Sequence, residues 1–139
     1  MKLVSYLKSG EIQLGAIVNE ALYNLQSVNE NLPKNIIDFF HASNDLIQQT
    51  EKQLSKIADH SLSVTAEKDF SLLAPVPRPT SCRDGYAFRQ HVESARTNRG
   101  VEMIKEFDQY PIFYFTNHNA VQGPGDIYCM PDHFQQLDF

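Results

Sequence analysis

Three prolines alternate in residues 74 to 80, APVPRPT, and no other stretch constrains the fold as strongly. Each proline fixes φ near −65° and removes a backbone donor, and each pushes the residue before it into an extended conformation. The run therefore follows a polyproline-like path that neither a helix interior nor a central strand can adopt. It reads as a connector between two units, residues 1–76 and 77–139. Composition changes across it, because six of the seven prolines lie at or after Pro75 and all five arginines at or after Arg78. A surface loop within one domain is the other reading, since a chain of 139 residues also suits a single domain.

The segment before the connector predicts a small α+β unit. KLVSYL, IQLGAIV and ALYNLQ are short β-compatible runs, separated by Ser9-Gly10-Glu11 and by Asn19-Glu20. Turn residues at that spacing predict a three-stranded β-meander. Two helices follow. LPKNIIDFFHAS places Pro33 at a first-turn position before Ile36, Ile37, Phe39 and Phe40, and NDLIQQTEKQLSKIADH repeats Leu46, Ile47, Leu54 and Ile57 at helical spacing. That apolar row reads as core, and His41 and His60 as solvated or capping residues at helix ends.

The overall composition narrows the function classes. With 42% apolar residues and a net charge of −5, the chain can bury one core or two small ones. No stretch reaches the roughly 18 apolar residues of a membrane helix, and MKLVSY lacks a signal-peptide block, so a cytoplasmic location is expected. No lysine or arginine run offers the clustered positive face that nucleic acid requires. Cys82 and Cys129 are too few and too far apart for a disulfide framework or a zinc ribbon and read as plain thiols.

The candidate chemistry lies after the connector, in RDGYAFRQHVESARTNRG. With Asp84 as N-cap and Gly100 just past the end, the intervening residues predict a helix of about four turns. Asp84, Phe88, His91, Ala95 and Arg99 then share one face. The aspartate and the imidazole would stand roughly 10 Å apart along the axis, able to line two ends of one small-molecule pocket. The plainer reading makes Asp84 a cap and His91 a satisfied histidine beside Phe88. The glycines of VQGPGDIYC read as a tight turn between two strands, because the lysine and hydroxyl residue of a phosphate loop do not follow them. His118 and His133 have no partner at a metal-binding spacing.

LLAPVPRPTSCRDGYAFRQHVESARTNRG followed by PIFYFTNHNAVQGPGDIYCMPDHFQQLDF resembles the opening of the catalytic domain of the fumarylacetoacetate hydrolase family. The proline-rich entry, Asp84-Gly85-Tyr86-Ala87, His91, Arg99-Gly100, and Tyr114 ahead of Gly123-Pro124-Gly125-Asp126 carry the likeness. Residues 1 to 74 are similar to the small N-terminal domain of longer members. The resemblance implies an α+β chain in which that domain precedes a β-rich fumarylacetoacetase-type catalytic domain.

It also implies an activity: hydrolysis of a carbon-carbon bond in a β-diketo acid such as fumarylacetoacetate or an acylpyruvate, with Mg²⁺ or Ca²⁺ as cofactor. By position, Asp84 is implied as a metal ligand and His91 as the general base. Tyr86, Tyr114 and Arg99 are implied to grip substrate oxygens, with Arg96 the alternative to Arg99. A hard cation held by carboxylates would stabilise the departing enolate while a neutral imidazole takes a proton from water. A decarboxylase or isomerase could use the same enolate-stabilising residues. Family members are usually dimers, so a homodimer is expected.

In that family further metal ligands come as a Glu-x-Glu pair just beyond the point matching Leu137-Asp138-Phe139, with another aspartate later. The chain is therefore expected to be the front part of a longer hydrolase, leaving Ile112, Phe113, Phe115 and Phe139 as exposed apolar surface. Asp126, Asp132 and Asp138 are weaker substitutes as ligands, being turn or terminal residues. The alternative function is a non-catalytic binding or assembly module that keeps the helix without the reaction.

Overall fold

A computed structural model describes residues 1–128. Cys129, Asp132, His133, Asp138 and Phe139, which figure in the sequence reading, lie outside the described residues. The chain divides into two units. One comprises Met1–Pro77 together with the described residues from Gln122 on, and the other is Arg78–Val121. The residues from Gln122 on thus group with the first unit, whereas the sequence reading placed all of 77–139 together. A close backbone approach accounts for this. A Cβ built on Gly123 would lie 2.7 Å from the Leu73 Cα and carbonyl carbon, so only glycine lets this strand of chain lie against Leu73.

The first unit is α+β. Strands β1 (Leu3–Lys8), β2 (Glu11–Val18) and β3 (Ala21–Asn24) form the expected antiparallel meander. Its two turns consist of Ser9-Gly10 and Asn19-Glu20, all four residues with positive φ. Paired positive φ values are those of the type I′ turn, whose twist matches that of the flanking strands. A short strand, β4 (Ser71–Leu72), adds to the free side of β1, giving the order β3-β2-β1-β4. The start of the proline run is fastened to the same strand, since the Ser5 hydroxyl donates to the Pro75 carbonyl at 2.8 Å.

Three helices cover one face of this sheet. Helix α1 (Leu25–Val28) follows β3 directly, with the Asn24 side chain capping its first N–H groups. The run ALYNLQ is therefore half strand and half helix, because Asn24 satisfies the helix start and ends the ladder. Helix α2 (Ile36–Phe40) begins later than Pro33 suggests. Asn35 takes the cap, its side-chain oxygen accepting from the Asp38 N–H at 2.9 Å. Helix α3 (Asn44–Ala58) matches its predicted span and is capped by Ser43. Leu54 and Ile57 are buried in a cluster with Leu14, Ala16, Leu25, Val28, Leu32, Ile36 and Phe39, and Leu46 and Ile47 pack on its rim. His41 and His60 are exposed at helix ends, as expected.

On the opposite face Tyr6 is fully buried, and its hydroxyl closes a triad with Gln13 and Asn24 at 2.7 to 2.8 Å. Burial raises the Tyr6 phenol above its ordinary pKa; Asn24's hydrogen bond opposes this and the Glu67 charge adds to it. No helix among the described residues is long and apolar enough to cross a membrane.

Candidate functional site

The second unit is built from a two-stranded ladder and a helix carried in the connection between its strands. Strand β5 (Arg83–Gly85) pairs antiparallel with β6 (Phe113–Phe115), and helix α4 (Arg89–Asn98) follows β5 after a three-residue link. Asp84 therefore lies in a strand and is not the cap of the helix that carries His91. The ladder explains the difference. Cys82, Asp84 and Tyr86 face Thr116, Tyr114 and Ile112 in turn, with Thr116 donating to the Cys82 carbonyl and Tyr86 to the Ile112 carbonyl. Backbone held in these bonds cannot also open a helix. The cap position falls to Phe88, which is 80% exposed and has no side chain able to bond the first turn.

The shared helical face survives only for His91, Ala95 and Arg99. Helix α4 ends as its sequence suggests. Gly100 takes φ +68°, with its N–H on the Thr97 carbonyl and that of Val101 on the Arg96 carbonyl, the two bonds of a Schellman motif.

Of the five predicted site residues, the structure brings two into direct register, since Asp84 and Tyr114 are cross-strand partners. Both are exposed. His91 is exposed on the first turn of α4, where it lines an open depression of about 660 Å³ with Ala87, Phe88, Arg89, Gln90 and Ser94. Asp84 is not in that lining. Tyr86 is half-buried against Phe107, with ring centres 6.3 Å apart and planes at 76°, and lines a second pocket of about 250 Å³. Ala87 borders both depressions.

The structure does not bring Arg99 beside His91. They stand eight positions apart, roughly 12 Å along the helix axis, and the Arg99 Nε donates to the Ala95 carbonyl at 3.0 Å. Arg96, the alternative, is likewise engaged by a backbone carbonyl, that of Glu102. At the other end of α4, Arg89 pairs with Glu93 at 2.9 Å and Asp108 at 3.1 Å. The Asp108 hydrogen bond and charge, then Glu93, hold its guanidinium protonated above the usual range. The i,i+4 spacing of Arg89 and Glu93 was visible in the sequence; the Asp108 contact, across a turn, was not.

Among the described residues no three His, Cys, Asp or Glu side chains gather to hold a metal ion. Asp84 supplies one carboxylate where Mg²⁺ requires six oxygens, so these residues alone do not fit a complete ion site. Residues 121–128 bend at Pro124-Gly125, but no pair of strands flanks the bend among the described residues. Cys82 is a half-buried free thiol. No protein-family model matches the chain, and no curated protein does either.

Proposed function

We propose that residues 78–121 are the opening part of a hydrolase that cleaves a carbon-carbon bond in a β-diketo acid, of the fumarylacetoacetate or acylpyruvate type. One observation carries this reading: Asp84, paired across the β5–β6 ladder with Tyr114, leads by a single short link into the helix whose first turn presents an accessible imidazole. In this reading His91 takes the proton from the attacking water, and Tyr86 and Tyr114 donate to substrate oxygens. Asp84 would be one ligand among several to Mg²⁺ or Ca²⁺, which when bound would polarise the dicarbonyl. The others would have to come from residues that are not described. Arg99, whose Nε is held by the Ala95 carbonyl, would grip a carboxylate through its terminal nitrogens.

The test is turnover of an acylpyruvate with Mg²⁺ or Ca²⁺ present, followed by loss of its enol absorbance. His91→Ala should lower turnover by about 10²-fold or more, the scale for loss of a general base. Unchanged turnover in that variant would refute the assignment.

A second reading, a non-catalytic assembly module, is favoured by the exposure of Phe113, Tyr114 and Phe115 along β6. It predicts no heat of Mg²⁺ or Ca²⁺ binding and a homodimer in sedimentation.

A further inference from the structure

We propose that the end of the β5–β6 strand pair binds a small aromatic carboxylic acid, with its ring in the pocket beside Gly85 and its carboxylate on Arg83. This goes beyond the hydrolase reading and does not depend on it: strand alternation places Arg83 and Gly85 on the face opposite Asp84, and of the residues assigned to that reaction only Tyr86 borders the pocket.

The pocket is aromatic. Tyr86, Phe107, Tyr110, Ile112 and Phe113 wall a volume of about 250 Å³. That is smaller than the roughly 300–1,000 Å³ of sites for drug-sized ligands, so it suits a small ring compound. The Tyr86 and Phe107 rings, already edge to face, offer an inserted ring the same geometry. Gly85 keeps the floor open. A Cβ built there would meet only the Ala87 Cβ at 4.0 Å, so packing does not demand a glycine, and a larger residue would fill ligand space.

The charge stands beside the pocket. The Arg83 guanidinium carbon lies 5.1 Å from the Phe113 ring centre and 5.2 Å from that of Phe115. Phe113 also lines the pocket, so the cation is about one ring's breadth from it. Arg83 makes no ion pair among the described residues, in contrast to Arg89 with its two acidic partners. Cation–π contact with two rings holds the fork in place, and a carboxylate matches its N–H edge. A neutral ring would use only the pocket and an inorganic anion only Arg83; an aromatic acid uses both.

The test uses 3-phenylpropionate as the probe, titrated into the full 139-residue chain and followed by amide chemical shifts. The expected result is saturable shifts at Gly85, Phe107 and Ile112. Neutral 3-phenylpropanol should bind the unaltered protein about tenfold more weakly, and Arg83→Gln and Gly85→Val should each weaken the acid by a similar factor. No shifts at those residues up to about 10 mM, in a chain that keeps its dispersed spectrum, would overturn the proposal. So would equal binding of the alcohol, or binding that fades as protein concentration rises, which would assign the face to a second copy of the chain.

Discussion

Residues 1–77 and 78–121 solve the same problem of burying apolar surface to very different degrees. The first region closes a core of nine buried residues around Leu14, Leu25 and Phe39, between one sheet face and three helices. In the second, Val92 is the buried hydrophobic among the described residues, while Phe88, Tyr110, Phe113, Tyr114 and Phe115 are exposed. The second has more aromatic residues in a shorter stretch, seven against five, yet leaves most of them exposed. The first region spends its side chains on stability, and the second leaves them at a surface where ligands, or more polypeptide, can meet them. Sites are commonly found where a scaffold leaves groups unsatisfied, and by that measure the second region is where chemistry should be sought.

The largest expected effect would test the contrast directly. Phe39→Ala should lower stability by about 3–5 kcal/mol in urea unfolding, whereas Val92→Ala should cost only about 2 kcal/mol. Equal losses would mean that the second region has a core comparable to the first, and the contrast would fail.

A smaller effect concerns the two longest helices. Helix α3 is capped by Ser43 and α4 by an exposed phenylalanine that caps nothing. Ser43→Ala should therefore destabilise α3 by about 1 kcal/mol, and Phe88→Asp should stabilise α4 by a similar amount, seen as slower amide exchange in its first turn. Unchanged exchange in Phe88→Asp would show that contacts elsewhere already hold the start of α4.

The smallest effect sharpens the description of the first region. The folded pKa of Tyr6 is raised, so its contribution is fully present below the unfolded value near 10 and is lost as pH rises through the folded one. Stability should fall above about pH 10, and Tyr6→Phe should flatten that fall. An unaltered profile in Tyr6→Phe would place the alkaline titration elsewhere.

Much of the first region was legible because its signals are local. Ser9-Gly10 and Asn19-Glu20 sit between β-compatible runs, and the helical repeat of Leu46, Ile47, Leu54 and Ile57 has no strand-like competitor. Pro33 misled because Asn35, two positions later, is the better cap. Asp84 misled for a deeper reason. Aspartate ahead of a helix is a strong cap signal, but its backbone was claimed by Tyr114, thirty positions away in sequence, and no local rule anticipates that pairing. The same distance hid the Arg89–Asp108 pair and the seating of Arg83 on Phe113 and Phe115.

From its sequence alone this protein was bound to have an extended proline run, a meander joined by two-residue turns, an amphipathic third helix and a glycine-ended fourth. Each of these follows from φ preferences and side-chain periods that act within a few residues. Tertiary structure decided that Asp84 is a strand residue facing Tyr114 and that His91 stands apart from it on the helix. Those outcomes depend on hydrogen bonds between distant segments, whose partners are chosen only when the chain has closed on itself.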